Sequence, residues 1–123
     1  MKRYKSKLPE KTNIPLKEMA NITPKYSGIK NGIVQIRPEQ RHVLFPHVHF
    51  VWDVKKAENE YVKISIGDDN EDIYVIEEKN MTLRTKELAR VKEFIQANSH
   101  LLKKYYLQAE FLDTIELLTN IQK

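Results

Sequence analysis

His47-Val48-His49-Phe50-Val51-Trp52-Asp53-Val54, then a polar break at Lys55-Lys56-Ala57-Glu58-Asn59, then Glu60-Tyr61-Val62-Lys63-Ile64-Ser65-Ile66: this stretch decides the fold. Both outer runs alternate with period two, the spacing of a strand with one face buried. The break between them is too short for a crossover helix, so the two runs pair as an antiparallel hairpin. Val48, Phe50, Trp52 and Val54 fall on one face of the first run, and Val62, Ile64 and Ile66 on one face of the second. The other face then carries His47, His49, Val51 and Asp53 beside Tyr61, Lys63 and Ser65.

Working outward, Asn31-Gly32 is a turn pair that opens a further strand at Ile33–Arg37, stopped by Pro38. Val34 and Ile36 supply its apolar face, and Gln35 and Arg37 the polar one. A fourth strand is expected at Ile73–Glu77, after the turn Gly67-Asp68-Asp69-Asn70. The acidic residues there have the composition of a calcium loop. They lack its spacing and its terminal bidentate Glu, so a hairpin turn is the expectation.

Past Thr82 the period changes. Leu88, Val91, Phe94 and Ile95 recur at helical spacing, Asn98-Ser99 interrupts, and Leu102, Tyr105, Tyr106, Ala109, Leu112 and Ile115 continue to about Thr119. The expected fold is α+β: a small antiparallel four-stranded meander sheet with two C-terminal helices packed on one face. Residues 1–30 hold Pro9, Pro15 and Pro24 and show no clear period. They are expected to form a basic extended arm, with residues 31–123 as a single domain.

Composition narrows the function classes. The 123 residues are 41% hydrophobic and 31% charged, a balance suited to one globular domain. With no cysteine, disulfide and thiolate chemistry are excluded. No apolar run is long enough to span a membrane, and no apolar leader follows Met1-Lys2-Arg3, so a cytoplasmic protein without membrane contact is expected. The net charge of +4 is unevenly spread, since residues 1–41 carry 10 Lys/Arg against 3 Asp/Glu. That arm suggests RNA or another nucleic acid as a partner, or an acidic protein, although Lys-rich ends also serve solubility.

The polar sheet face concentrates the candidate chemistry. His47 and His49 are the candidate catalytic residues, with Lys63, Arg37, Arg41 and Ser65 as substrate-binding candidates. Imidazoles transfer protons near neutral pH, and Lys and Arg stabilise phosphate charge, so acid–base cleavage of RNA is within reach of these residue types without a cofactor. The alternative is a solvated sheet face, polar because water is its partner. A metal site would need further ligands from His42, His100 or Asp53. The histidine-triad nucleotide hydrolases place a third His where Val51 stands, so that pattern is incomplete.

Pro46-His47-Val48-His49, followed by Tyr61-Val62-Lys63-Ile64-Ser65-Ile66, Val75-Ile76-Glu77 and the helical run Leu88 to Tyr106 with Leu101-Leu102, resembles a small bacterial family of uncharacterised domains with a Pro-His-x-His motif. Some of its members are described as DhiT-type toxins of toxin–antitoxin modules. The likeness covers about residues 43–108. It implies His47 and His49 as the functional pair and a small antitoxin as partner, and it supplies no reaction.

Overall fold

The computed structural model describes residues 20–37, 46–107 and 114–123. The protein is α+β, with a five-stranded antiparallel sheet and helices. The strands are β1 (Ala20–Ile22), β2 (Ile33–Ile36), β3 (His47–Val51), β4 (Tyr61–Ser65) and β5 (Val75–Lys79). Their order in the sheet is their order in the chain, so each strand pairs with its sequence neighbours.

Five strands replace the expected four because Ala20–Ile22 belongs to the sheet rather than to the arm. Ala20 lies opposite Ile36, and Ile22 opposite Val34. Both β1 side chains are fully buried. Residues 20–30 are therefore part of the folded unit. Thr23 leads into the short helix α1 (Pro24–Ser27), with Pro24 at a first-turn position where a missing N–H costs nothing. Gly28 ends α1 at φ +77°, its N–H bonded to Pro24 O at 2.9 Å. Asn31 adopts φ +65° in the turn into β2. Gly32 follows because a Cβ there would stand 2.1 Å from Phe50 Cζ, so only hydrogen lets that ring close against the turn.

The central strand starts after Pro46, whose carbonyl accepts from Ile66 N at 3.0 Å and extends the ladder by one bond. It ends at Val51, short of the expected Val54, because Asp53 accepts from Lys55 N at 2.9 Å and caps a 3₁₀ turn over Val54–Lys56. Trp52 and Val54 consequently leave the core and stand 38% and 43% exposed. The last strand is shifted from the expected 73–77 to Val75–Lys79. Ile73 is buried at the end of a second 3₁₀ turn, Asn70–Asp72, and a register shift falls at Lys63/Ile64 opposite β5.

The helices are α2 (Thr85–Ala97), α3 (Ser99–Leu107) and α4 (Thr114–Asn120). At the start of α2, Glu87 Oε1 accepts from Arg84 N at 2.8 Å, one half of a capping box. Asn98 divides α2 from α3. Its Nδ2 donates to Phe94 O at 3.0 Å and to Gln122 O at 2.8 Å, while its Oδ1 accepts from Gln122 N at 2.7 Å. Its carbonyl accepts from Leu102 N, so one residue ends one helix, starts the next and holds the tail. Asp68 fastens the β4–β5 connection to α3 through Ser99 Oγ at 2.7 Å and Lys103 Nζ at 3.2 Å.

Alternation delivers the core. Val34, Ile36, Val48, Phe50, Val62 and Ile64 join Val91, Phe94, Ile95, Leu102, Tyr105 and Leu117 in one buried cluster. Each such aliphatic or Phe side chain contributes roughly 1.5–3 kcal/mol on burial. No described helix is long and apolar enough to cross a membrane.

Candidate functional site on the central strand

The five residues of β3 are all buried. The expectation of an open polar face is therefore corrected at the centre of the sheet: His47 is 3% exposed, His49 2% and Gln35 1%. The pleat places these residues as expected, on the side opposite Val48 and Phe50. Alternation fixes direction, while burial depends on what lies above each face.

The register sets the polar rows. Gln35 lies opposite His49, which lies opposite Lys63, which lies opposite Glu77. His47 lies opposite Ser65. Gln35 links outward and inward: its Nε2 donates to Asn21 Oδ1 at 2.8 Å, and its Oε1 accepts from Arg37 Nε at 3.1 Å and from an Arg37 terminal nitrogen at 2.7 Å. That nitrogen also donates to Ala57 O at 2.9 Å. Lys63 Nζ is 3.4 Å from Glu77 Oε1, an ion pair at the half-buried rim.

Four rings run across this face. Tyr106 of α3 lies 5.4 Å from His47, His47 lies 5.2 Å from His49, and His49 meets Tyr61 nearly edge-on at 4.8 Å between centroids. Tyr106 Oη is 3.4 Å from His47 Nδ1, with the donor set by the imidazole tautomer. Arg37 and Lys79 stand over the Tyr61 ring at 5.5 and 5.9 Å, within cation–π range.

Burial, and then the charges of Arg37, His47 and Lys63, push the His49 imidazole down to about 2 from its ordinary 6.5. His49 is thus neutral throughout the physiological range and cannot serve as a general acid there. Its Nδ1 is buried without a hydrogen-bond partner among the described residues. An atom so placed costs about 1–3 kcal/mol until a complementary group meets it.

The remaining candidates separate. Arg37 and Lys63 flank the pair. Ser65 is beside it, but its hydroxyl donates to Asp72 O at 2.6 Å and accepts from Tyr74 N at 2.9 Å, which commits its proton to the hairpin. Arg41 and His42 lie outside the described residues. Asp53 is occupied with its turn, and His100 is exposed at the start of α3. Among the described residues no three His, Cys, Asp or Glu side chains converge as a metal site. Tyr106 was legible only as a helix-core residue, since nothing in its spacing signals His47, 59 residues earlier in the chain. Tyr61 was signalled: it is the diagonal neighbour of His49 across the β3–β4 ladder.

No protein-family model, no curated protein and no solved structure matches this chain.

Proposed function

We propose that the protein acts on a phosphate-bearing substrate, RNA first among the candidates, through the β3 face around His47 and His49, as the toxin-like component of a type II toxin–antitoxin module with a small antitoxin as its partner. The observation that supports this most is the Nδ1 of His49, buried without a hydrogen-bond partner among the described residues and within the electrostatic influence of Arg37 and Lys63. Burial disfavours any charge here, the imidazolium included, and the positive charges of Arg37 and Lys63 disfavour it further; those charges, although Lys63 is shared with Glu77, are what would offset the cost of bringing in an anion. In this reading Arg37 and Lys63 bind the phosphate, and His49 hydrogen-bonds as a neutral ring. His47 is left to take the proton of an attacking hydroxyl as the new P–O bond forms, and the same imidazolium then gives that proton to the departing oxygen as its P–O bond breaks. Tyr106 lies over His47, so substrate entry requires that ring to move aside.

The burial of the pair favours a second reading, a non-enzymatic module in which the histidines are structural and the basic N-terminal segment binds nucleic acid or an acidic protein. Growth of a bacterial host after induced expression separates the two. Arrest by the wild type, relieved by His47→Gln at equal solubility and equal melting temperature, supports the first. Arrest that persists in His47→Gln removes it. The second reading predicts salt-sensitive RNA binding that is lost when residues 1–19 are deleted, a cut that spares β1. Binding that survives the deletion would count against it.

A further inference from the structure

A recess lies on the other side of the sheet from the histidines and does not involve them. It has a volume of about 310 Å³ and lies where Trp52 and Phe50 face Lys86 and Arg90 of α2, with Ile29 and Lys30 along its edge. We propose that this recess binds one nucleotide unit, its base stacked on Trp52 and its phosphate held by Lys30, Lys86 and Arg90.

Three features carry the assignment. The first is Trp52 itself. The turn at Asp53 leaves it 38% exposed beside a fully buried Phe50, and so places indole surface in the recess. The Phe50 ring meets it nearly perpendicularly, at 86° and 5.0 Å between centroids, and the residue keeps part of its surface toward solvent. Indole surface of this kind accepts any base, because every base has a π-face. The second is charge. Three cations line the recess and one carboxylate, Glu87, accompanies them. That carboxylate is turned to Arg84, accepting from its backbone N–H at 2.8 Å and from its guanidinium at 3.3 Å, and these bonds hold it below the usual carboxylate range. Arg90 gives one bond to Ser27 O at 3.3 Å, which anchors the side chain at the recess without neutralising it. The nearest other acid in sequence, Asp53, caps the turn at Lys55. The third is size. The volume stands at the lower end of the range for small-molecule pockets, room for one nucleotide and not for a folded peptide.

The proposal is independent of the reading of the β3 histidines. A nucleotide unit can arrive free or as one residue of a single strand, and both present the same base and phosphate. Because Trp52 is the only tryptophan in the chain, its fluorescence reports on this recess directly. The full-length protein is titrated at low salt with adenosine monophosphate, adenosine, inorganic phosphate and an eight-nucleotide single-stranded RNA. Saturable quenching by the monophosphate is expected, with adenosine binding several-fold more weakly and phosphate alone leaving the emission unchanged. Lys86→Gln combined with Arg90→Gln should weaken the monophosphate about tenfold through lost charge-assisted contacts. Tighter binding of the octamer with a steep salt dependence assigns the recess to a strand, and equal binding assigns it to the free nucleotide. Trp52→Phe, followed by the anisotropy of a labelled octamer, should keep part of the affinity, and Trp52→Ala should lose about fivefold or more. The proposal is overturned by absence of saturable quenching with either phosphate-bearing nucleotide at millimolar concentration. Equal binding of adenosine and its monophosphate overturns it as well, as does affinity unchanged in both the charge and the Trp52 variants.

Discussion

Acidification should cost this protein stability through His49 in particular. The folded ring titrates at about 2 and the unfolded one near 6.5. Between those values the unfolded chain binds a proton that the folded chain refuses, so falling pH favours unfolding. The contribution is whole above pH 6.5 and is lost progressively below it. At pH 5 the gap is about 1.5 pH units, which at about 1.36 kcal/mol per unit is roughly 2 kcal/mol. His49→Gln keeps a neutral polar side chain of similar reach and removes the titration. Urea unfolding followed by Trp52 emission gives the stability of both proteins at pH 7 and pH 5. The wild type should lose about 2 kcal/mol more than the variant over that interval. Because the comparison is between slopes, any constant loss from the substitution cancels. Equal slopes would mean that His49 protonates in place, and the dry cationic environment assigned to it would be wrong.

Gly32→Ala should cost about 1–3 kcal/mol, since the new Cβ meets the Phe50 ring at 2.1 Å and the ring is packed from the core side; a melting temperature equal to the wild type would refute the contact. Asn98→Ala should lose about 1–3 kcal/mol and loosen the tail, because Gln122 N–H and C=O both lose their partner; hydrogen exchange at Gln122 is the direct check, and unchanged protection would refute it. Phe50→Ala should destabilise by about 3–5 kcal/mol and also change the emission of Trp52, which leans on that ring; a spectrum unaltered in the folded variant would contradict the packing.

The hairpin around β3 and β4 was legible because both runs alternate and the break between them is polar. Asn98 interrupts a clear 3.6-residue stripe and so was legible as a candidate cap, although spacing alone does not separate two helices from one bent helix; the structure divides them there. What alternation hid is instructive at Trp52 and Val54. Their apolar spacing continues the strand, yet one hydrogen bond from Lys55 N–H to Asp53 turns the chain and leaves both exposed. At β1 the opposite holds. Ala20-Asn21-Ile22 is too short to show a period, and its strand exists because Val34 and Ile36 offer it a partner. The candidate site divides the same way. Which residues share the His47 side followed from the pleat, including Gln35, Tyr61 and Lys63. Its dryness did not, because it comes from side chains remote in sequence, Tyr106 among them.

Pairing between sequence neighbours alone has a consequence for the nascent chain. A sheet ordered β1 to β5 can add each strand as it leaves the ribosome, without waiting for a distant segment. The residues that cover its apolar side, Val91, Phe94, Ile95 and Leu102, are translated after every strand is complete. Leu102 follows Lys79 by 23 residues. At ordinary elongation rates of about 5–20 residues per second that interval is roughly one to five seconds, during which Val48, Phe50 and Val62 have no lid. Yield in a cell should therefore depend on what shields this half-finished sheet, and slowing translation over Met81–Leu102 should lower soluble yield without altering the stability of the finished protein.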